Sequence, residues 1–219
     1  RNHCLAPMIL GVVPARGHSR RLPGKNLMNL GSATLLTRAI ASANDSRLLS
    51  ESVVLTDDDA IRRAAIRIGA RVVMEPEPAK DDARMVDKIR YAVVCVGGPW
   101  PEIVVCLQPT SPFRTGAVID ATIQKVLDGA DSAQTVTQAC YDPHHMMMLD
   151  GDRAIFLYED RWASRPPVYM PTGAVYAVRY ATLIRGTMQG KDHRVVVCEP
   201  EESVNINSGL DWKLAEVLA

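Results

Sequence analysis

Short apolar runs alternate with helix-period segments along most of the chain. "MILGVV" (8–13), "SVVLT" (52–56), "RVVM" (71–74), "EIVVCLQ" (102–108) and "SAQTVTQ" (132–138) predict strands. Between them, apolar positions recur with a 3.6-residue period. A helix is expected at about 33–44, where Leu35, Leu36, Ala39 and Ile40 share a face. A second is expected at 58–69, on Ile61, Ala64, Ala65 and Ile68, with Gly69 ending it. A third lies around 83–96, and a fourth at 115–128, with Val118, Ile119, Ile123, Val126 and Leu127 inward and Gly129 closing it. Continuous rather than alternating apolar runs are what a sheet covered on both faces requires. Strand–helix alternation implies parallel pairing through right-handed crossovers. The predicted class is therefore α/β, a three-layer sandwich.

The rhythm breaks after about residue 139. "YDPHHMMMLDGDRAIFLYEDRWASRPPVYMP" (141–171) has turn signals, charges and aromatics but no clean period. Residues 140–170 are read as an insertion within a single domain spanning 8–219. The pattern resumes at "GAVYAV" (173–178), followed by a short helix at about 179–185, a strand "HRVVVCE" (193–199), and a C-terminal helix at about 208–218 with Ser208 as N-cap.

Composition narrows the function classes. Of 219 residues, 25 are Lys or Arg and 25 are Asp or Glu, so the formal net charge is zero. General nucleic-acid or anionic-membrane binding needs a basic field across a whole face, and neither partner is expected. Five cysteines occur without a CxxC pair, and Cys95, Cys106 and Cys198 lie in apolar runs, so they read as buried thiols. With no signal peptide and no apolar run long enough to cross a bilayer, a reducing cytoplasm is the expected location. "RNHCLAP" (1–7) lacks an initial Met, reads as a trimmed or tag-derived end, and is set aside in reasoning about the fold.

Against this neutral background, "GVVPARGHSRRLPGKNL" (11–27) places Arg16, Arg20, Arg21 and Lys25 within ten positions, interleaved with Gly17, Pro23 and Gly24. It follows the first strand, and ligands on open α/β sheets bind beyond the carboxyl ends of strands. Glycines admit close backbone approach, and Arg and Lys make charge-assisted bonds to phosphate oxygens. The spacing is neither a Walker loop nor a dinucleotide fingerprint. From composition alone, a solvated basic surface loop remains an equal reading.

"PARGHSRRLPGKNL" (14–27) resembles the signature of the cytidylyltransferases that activate acidic sugars, in their sialic-acid branch, [LP]-A-R-x-x-S-[KR]-x-[LI]-x-x-K-N-[LI]. "LQPTSPFR" (107–114) is similar to that branch's L-Q-x-T-S-P-x-R. "PTGAVY" (171–176) is similar to P-N-G-A-[IV]-Y with Thr172 for Asn, and "SVNINSGLDWKLAE" (203–216) to S-[VI]-D-I-D-x-x-x-D-[WL]-x-x-A-E. Order and spacing hold over nearly the whole chain.

The resemblance implies a Rossmann-like, mostly parallel sheet, a homodimer formed through the 140–170 insertion, and transfer of CMP from CTP to a small acidic acceptor. A nonulosonic acid of the sialic type is the default acceptor, and pyrophosphate is released. Arg16, Ser19, Arg20 and Lys25 match triphosphate-binding positions, with Arg16 and Lys25 carrying the catalytic charge. Ala15, Gly17 and Asn26 belong to the same loop, and Arg21 has a weaker claim. Asp57 matches the Asp of the family's S-T-D, and Asp81 an Asp framing the nucleotide pocket. Gln108, Thr110 and Ser111 match positions facing the sugar and α-phosphate, and Thr172 and Tyr176 stand in the acceptor motif. Arg161 and Arg165 are the candidates to grip an acceptor carboxylate, while Arg114 is open between binding and structure.

The sequence also departs from the pattern. Glu75 stands where the family often has Arg. The family's magnesium-binding D-I-D reads Asn205-Ile206-Asn207. Amide carbonyls ligate hard cations without supplying charge, whereas magnesium usually uses one or two carboxylates plus substrate phosphates. Three arrangements stay open: magnesium arriving on the triphosphate with Asn205 and Asn207 as neutral ligands, substitution by Asp211, or loss of the metal site. Asp211 also has a structural reading at the helix end. The same departures leave room for a phosphonate acceptor, or for a nucleotide-binding homologue without catalysis. His144 and His145, if on one strand, would point to opposite faces and not share a metal.

Overall fold

In the computed structural model the described residues are 7–19, 21–75, 84–158 and 166–219. The chain runs through β1 (Ile9–Pro14), β2 (Asn29–Leu30), β3 (Ala33–Thr34), α1 (Leu35–Asn44), β4 (Glu51–Thr56), α2 (Asp59–Arg67), β5 (Arg71–Met74), α3 (Met85–Val96), β6 (Ile103–Cys106), α4 (Gly116–Leu127), β7 (Ser132–Gln138), β8 (Met147–Asp150), β9 (Arg153–Phe156), β10 (Tyr169–Arg179), α5 (Tyr180–Leu183), β11 (His193–Val197) and α6 (Gly209–Leu218). One seven-stranded sheet has the order β11-β7-β10-β6-β1-β4-β5.

Side chains of each central strand alternate between the two faces. Ile9 and Val13 join Leu36, Ile40, Ile61, Ile119 and Ile123 in a core under α1, α2 and α4. Leu10 and Val12 join Ile89, Val93 and Leu183 under α3 and α5. This is the expected three-layer arrangement. Helix starts follow their caps: Thr34, Asp58 and Thr115 each accept a hydrogen bond from the first turn of α1, α2 and α4.

The strands of this sheet pair in parallel except β10, which is antiparallel to both β6 and β7. The reversal follows from connectivity. β7 ends at Gln138, and β10 re-enters with Tyr169 opposite Gln138. β10 is also longer than the expected 173–178. Its register shifts between Pro171 and Tyr176, at a bulge where Gly173 takes φ +80°. Pro171, which cannot donate to a ladder, hid this first half from the pattern.

Two local expectations are corrected. Cys95 is exposed, on the solvent side of α3, whereas Cys106 and Cys198 are buried. His144 and His145 lie in a 3-10 turn, not a strand. His144 Nδ1 meets Asp142 Oδ1 at 2.5 Å, and its ring packs on Tyr158. The 140–170 segment contains a hairpin, β8–β9, outside the main sheet. No helix among the described residues is long and apolar enough to cross a membrane.

A third apolar cluster positions the chemistry. Leu30, Leu35, Ile206, Trp212 and Ala215 are buried together, with Leu22, Met28, Phe113 and Val204 packed on them. It clamps α6 and the 204–207 segment against the far end of the basic loop.

Candidate functional site

After β1 the chain returns to the sheet on one side as β4 and later on the other as β6. The crevice beyond the carboxyl ends of β1 and β6 is thus a topological switch point, where open α/β sheets bind ligands. A cleft of about 340 Å³ lies there. Pro14, Ala15, Arg16, Lys25 and Asn26 line it from the basic loop, and Gln108, Pro109 and Thr110 from the turn after β6. Asn207 closes one side, and Leu55, Glu75, Met85 and Lys88 the other.

The basic loop is held from within. Ala15 is buried and its N–H continues the ladder to Leu55 O at 2.8 Å. Asn26 is buried, and its side-chain amide donates to Arg16 O at 2.9 Å, bracing the loop across ten residues. The Gly17 N–H donates to Asp57 Oδ1 at 2.7 Å. Asp57 therefore shapes the loop, and that N–H is not available to a phosphate. A side chain at Gly17 would collide with Asp58, since a Cβ there would lie 2.5 Å from its carboxylate oxygen. Ser19 is half-buried in the same loop and does not line the cleft.

Lys25 Nζ donates to Ile206 O at 2.9 Å. Burial, then the charges of Arg21 and Arg16, push its ammonium down to about 8, with Asp211 opposing. A lysine so placed gains from any anion entering the cleft.

Arg114, left open by sequence, is a buried positioning residue. It donates to Gln108 O at 3.0 Å, Ala174 O at 2.8 Å and Ser42 Oγ at 3.1–3.2 Å, and burial pushes it down to about 10. It ties the turn after β6 to β10 and α1. In that turn Ser111 is buried, and its hydroxyl has no hydrogen-bond partner among the described residues.

Two acceptor candidates point elsewhere. The Thr172 hydroxyl is buried against the Thr135 hydroxyl at 2.7 Å and caps the β10 bulge by accepting from Ala174 N. Tyr176 packs into the core beneath α3. Neither lines the cleft. Arg20, Asp81, Arg161 and Arg165 lie outside the described residues. Sequence reasoning missed Lys88 and the use of Glu75, which pair at 3.3 Å with both side chains largely buried on the cleft wall. The signal was positional: Glu75 follows β5, as the basic loop follows β1.

The residues read as metal ligands do not fit a protein-held magnesium ion. Asn205 Nδ2 donates to Thr172 O at 2.8 Å, and Asn205 Oδ1 accepts from Asn207 Nδ2 at 3.1 Å. Asn207 Oδ1 in turn accepts from the Arg21 guanidinium at 3.3 Å. Asp211 Oδ2 accepts from Asn207 N, Ser208 N and Ser208 Oγ at 2.7–2.9 Å, completing a capping box on α6. Burial alone would raise the Asp211 carboxyl, but these bonds, with Arg21 adding, hold it below the usual value. Both amide oxygens are engaged, and the nearby carboxylate is committed to a helix end. Among the described residues no group of three or more His, Cys, Asp or Glu side chains is placed to hold a metal.

The family profile described as cytidylyltransferase matches residues 10–154. The chain is 27% identical to the CMP-N,N'-diacetyllegionaminic acid synthase of Legionella pneumophila, over 96% of this chain and 95% of that protein. It is 36% identical to the 3-deoxy-manno-octulosonate cytidylyltransferase of Bdellovibrio bacteriovorus, over 55% of this chain and 46% of that protein. Among solved structures, a CMP:2-keto-3-deoxy-manno-octonic acid synthetase complexed with CTP superposes with a TM-score of 0.75 at 16% identity, covering 96% of this chain and 98% of that one.

Proposed function

The chain belongs to the cytidylyltransferase family, and on that footing we propose that it transfers CMP from CTP to a small sugar acid and releases pyrophosphate. The observation that carries the reading is the convergence of the basic loop and the Gln108–Thr110 turn on one cleft at the switch point. The relatives named above act on sugar acids, which share a carboxylate and several hydroxyls.

In this reading the triphosphate lies against Arg16 and Lys25. An acceptor hydroxyl, bonded by Gln108 and Thr110, attacks the α-phosphorus. The new O–P bond forms as the bond to the β-phosphate oxygen breaks, and the hydroxyl proton passes to solvent in the open cleft. Negative charge moves onto the leaving pyrophosphate, where fixed cations stabilise it without reorganising. Alignment by the internally braced loop supplies the rest.

A homodimer is part of the proposal. Met147, Met148, Leu149, Ile155 and Phe156 of the β8–β9 hairpin are exposed, as are nearby Tyr169 and Met170. An apolar strip of that kind favours burial against a second copy.

The test is pyrophosphate release from CTP with sialic, legionaminic, pseudaminic and 3-deoxy-manno-octulosonic acids, and with simple phosphonates. One acid is expected to turn over, and Arg16→Ala and Lys25→Ala each to abolish it. Near-normal rates in both variants would reject the placement of the phosphates. Tight CTP binding with no turnover across the panel would favour a non-catalytic nucleotide binder.

A further inference from the structure

The amide pair at the cleft edge has a direction. Donation runs from the Arg21 guanidinium to Asn207 Oδ1, from Asn207 Nδ2 to Asn205 Oδ1, and from Asn205 Nδ2 to Thr172 O. Turning either amide over would set donor against donor, so the chain of bonds fixes both. The segment is anchored on both sides: Ile206 N donates to Thr110 O at 2.8 Å, and Ile206 O accepts from Lys25 Nζ at 2.9 Å. Gly173, where a Cβ would lie 2.5 Å from Asn205 Nδ2, leaves room for the arrangement.

The consequence is electrostatic. Asn207 holds Arg21 without neutralising it. An aspartate there would pair with the guanidinium and cancel its charge towards a ligand. Because Asn207 lines the cleft, its guanidinium partner is set at the cleft edge, on the side of Lys25. Arg21 and Lys25 therefore gather beside the Asp211 carboxylate, which is committed to the α6 cap, at the place where further carboxylates would be needed to hold a divalent ion.

Resting on the reading of the cleft as a nucleoside triphosphate site, the geometry points to Arg21 as a phosphate-binding residue that takes over the charge-neutralising work of a divalent cation. The chain accordingly binds the metal-free triphosphate. The Asn205–Asn207 pair is a positioning device for Arg21 rather than a weakened metal site.

The experiment is calorimetric titration of CTP into the full chain, in EDTA and in excess magnesium. Wild type is expected to bind in EDTA at least as tightly as in magnesium. Arg21→Ala removes one charge-assisted phosphate contact and should weaken binding in EDTA by about ten- to a hundredfold. Arg21→Lys, which keeps the charge, should recover most of the loss. Arg21 is exposed, so these variants are expected to fold, and a thermal melt checks this. The double variant Asn205→Asp with Asn207→Asp should reverse the order, binding better in magnesium than in EDTA. Wild-type binding that requires magnesium, or an Arg21→Ala variant unchanged in EDTA, overturns the inference while leaving the nucleotide site intact. No CTP binding in either condition removes the nucleotide site itself and the inference with it.

Discussion

Lys25 sets a measurable proton count on nucleotide binding. Its ammonium is pushed from an ordinary 10.5 to about 8, first by burial and then by Arg21 and Arg16, with Asp211 only partly offsetting them. A triphosphate placed against it reverses the balance, because an adjacent anion favours the charged form. Binding should therefore draw a proton onto Lys25 wherever the free protein has lost it. With a free pKa of about 8, uptake per site is about 0.1 proton at pH 7, about 0.5 at pH 8 and about 0.9 at pH 9. The terminal phosphate, with a second ionisation near pH 6, is already ionised there. The sign is unambiguous: CTP affinity falls as pH rises through 8, approaching about tenfold per pH unit near pH 9. Calorimetry at each pH in buffers of different ionisation enthalpy reads the uptake directly. Lys25→Arg keeps the charge but does not titrate, so its uptake should vanish and its affinity stay flat from pH 7.5 to 9.5. Wild-type uptake near zero at pH 9, or the same uptake in Lys25→Arg, would refute the placement of a phosphate at Lys25.

Three further outcomes are expected. Arg114→Ala leaves the Gln108 and Ala174 carbonyls and the Ser42 hydroxyl without their donor, and should cost about 3–5 kcal/mol in urea unfolding. A loss under 1 kcal/mol would show that the buried guanidinium does not organise the turn. Gly173→Ala forces a side chain into φ +80° and onto Asn205, costing about 1–3 kcal/mol; it should weaken CTP binding in EDTA more than in magnesium, and an equal loss in the two conditions would contradict that coupling. Met148→Asp on the exposed hairpin should convert a dimer to a monomer in sedimentation without lowering the melting temperature of the protomer, and an unchanged mass would place any interface elsewhere.

The layered sheet was legible because burial on both faces writes itself as unbroken apolar runs. "RVVM" and "SAQTVTQ" became β5 and β7 with the expected bounds. The reversal of β10 was not legible, since "GAVYAV" reads alike in either direction and only the excursion before it decides the sense. The cleft was half legible. Its phosphate side came from local chemistry concentrated in one loop. Its other wall came from Glu75 and Lys88, thirteen residues apart and brought together only by the return of α3 to the sheet. Thr172 misled because a motif position marks a place in the chain, not the direction of a hydroxyl, and the β10 bulge turned that hydroxyl towards Thr135. The exposure of Cys95 was missed for a similar reason: an apolar run on a helix still has a solvent side.

The most direct test is to follow the phosphorus atoms. With saturating CTP and each sugar acid in turn, 31P NMR is predicted to show, for one acid, the three CTP resonances giving way to one phosphodiester and one pyrophosphate in equal amounts. Conversion of CTP to free CMP or CDP without a diester, or CTP left intact with every acid although it binds, would contradict the account.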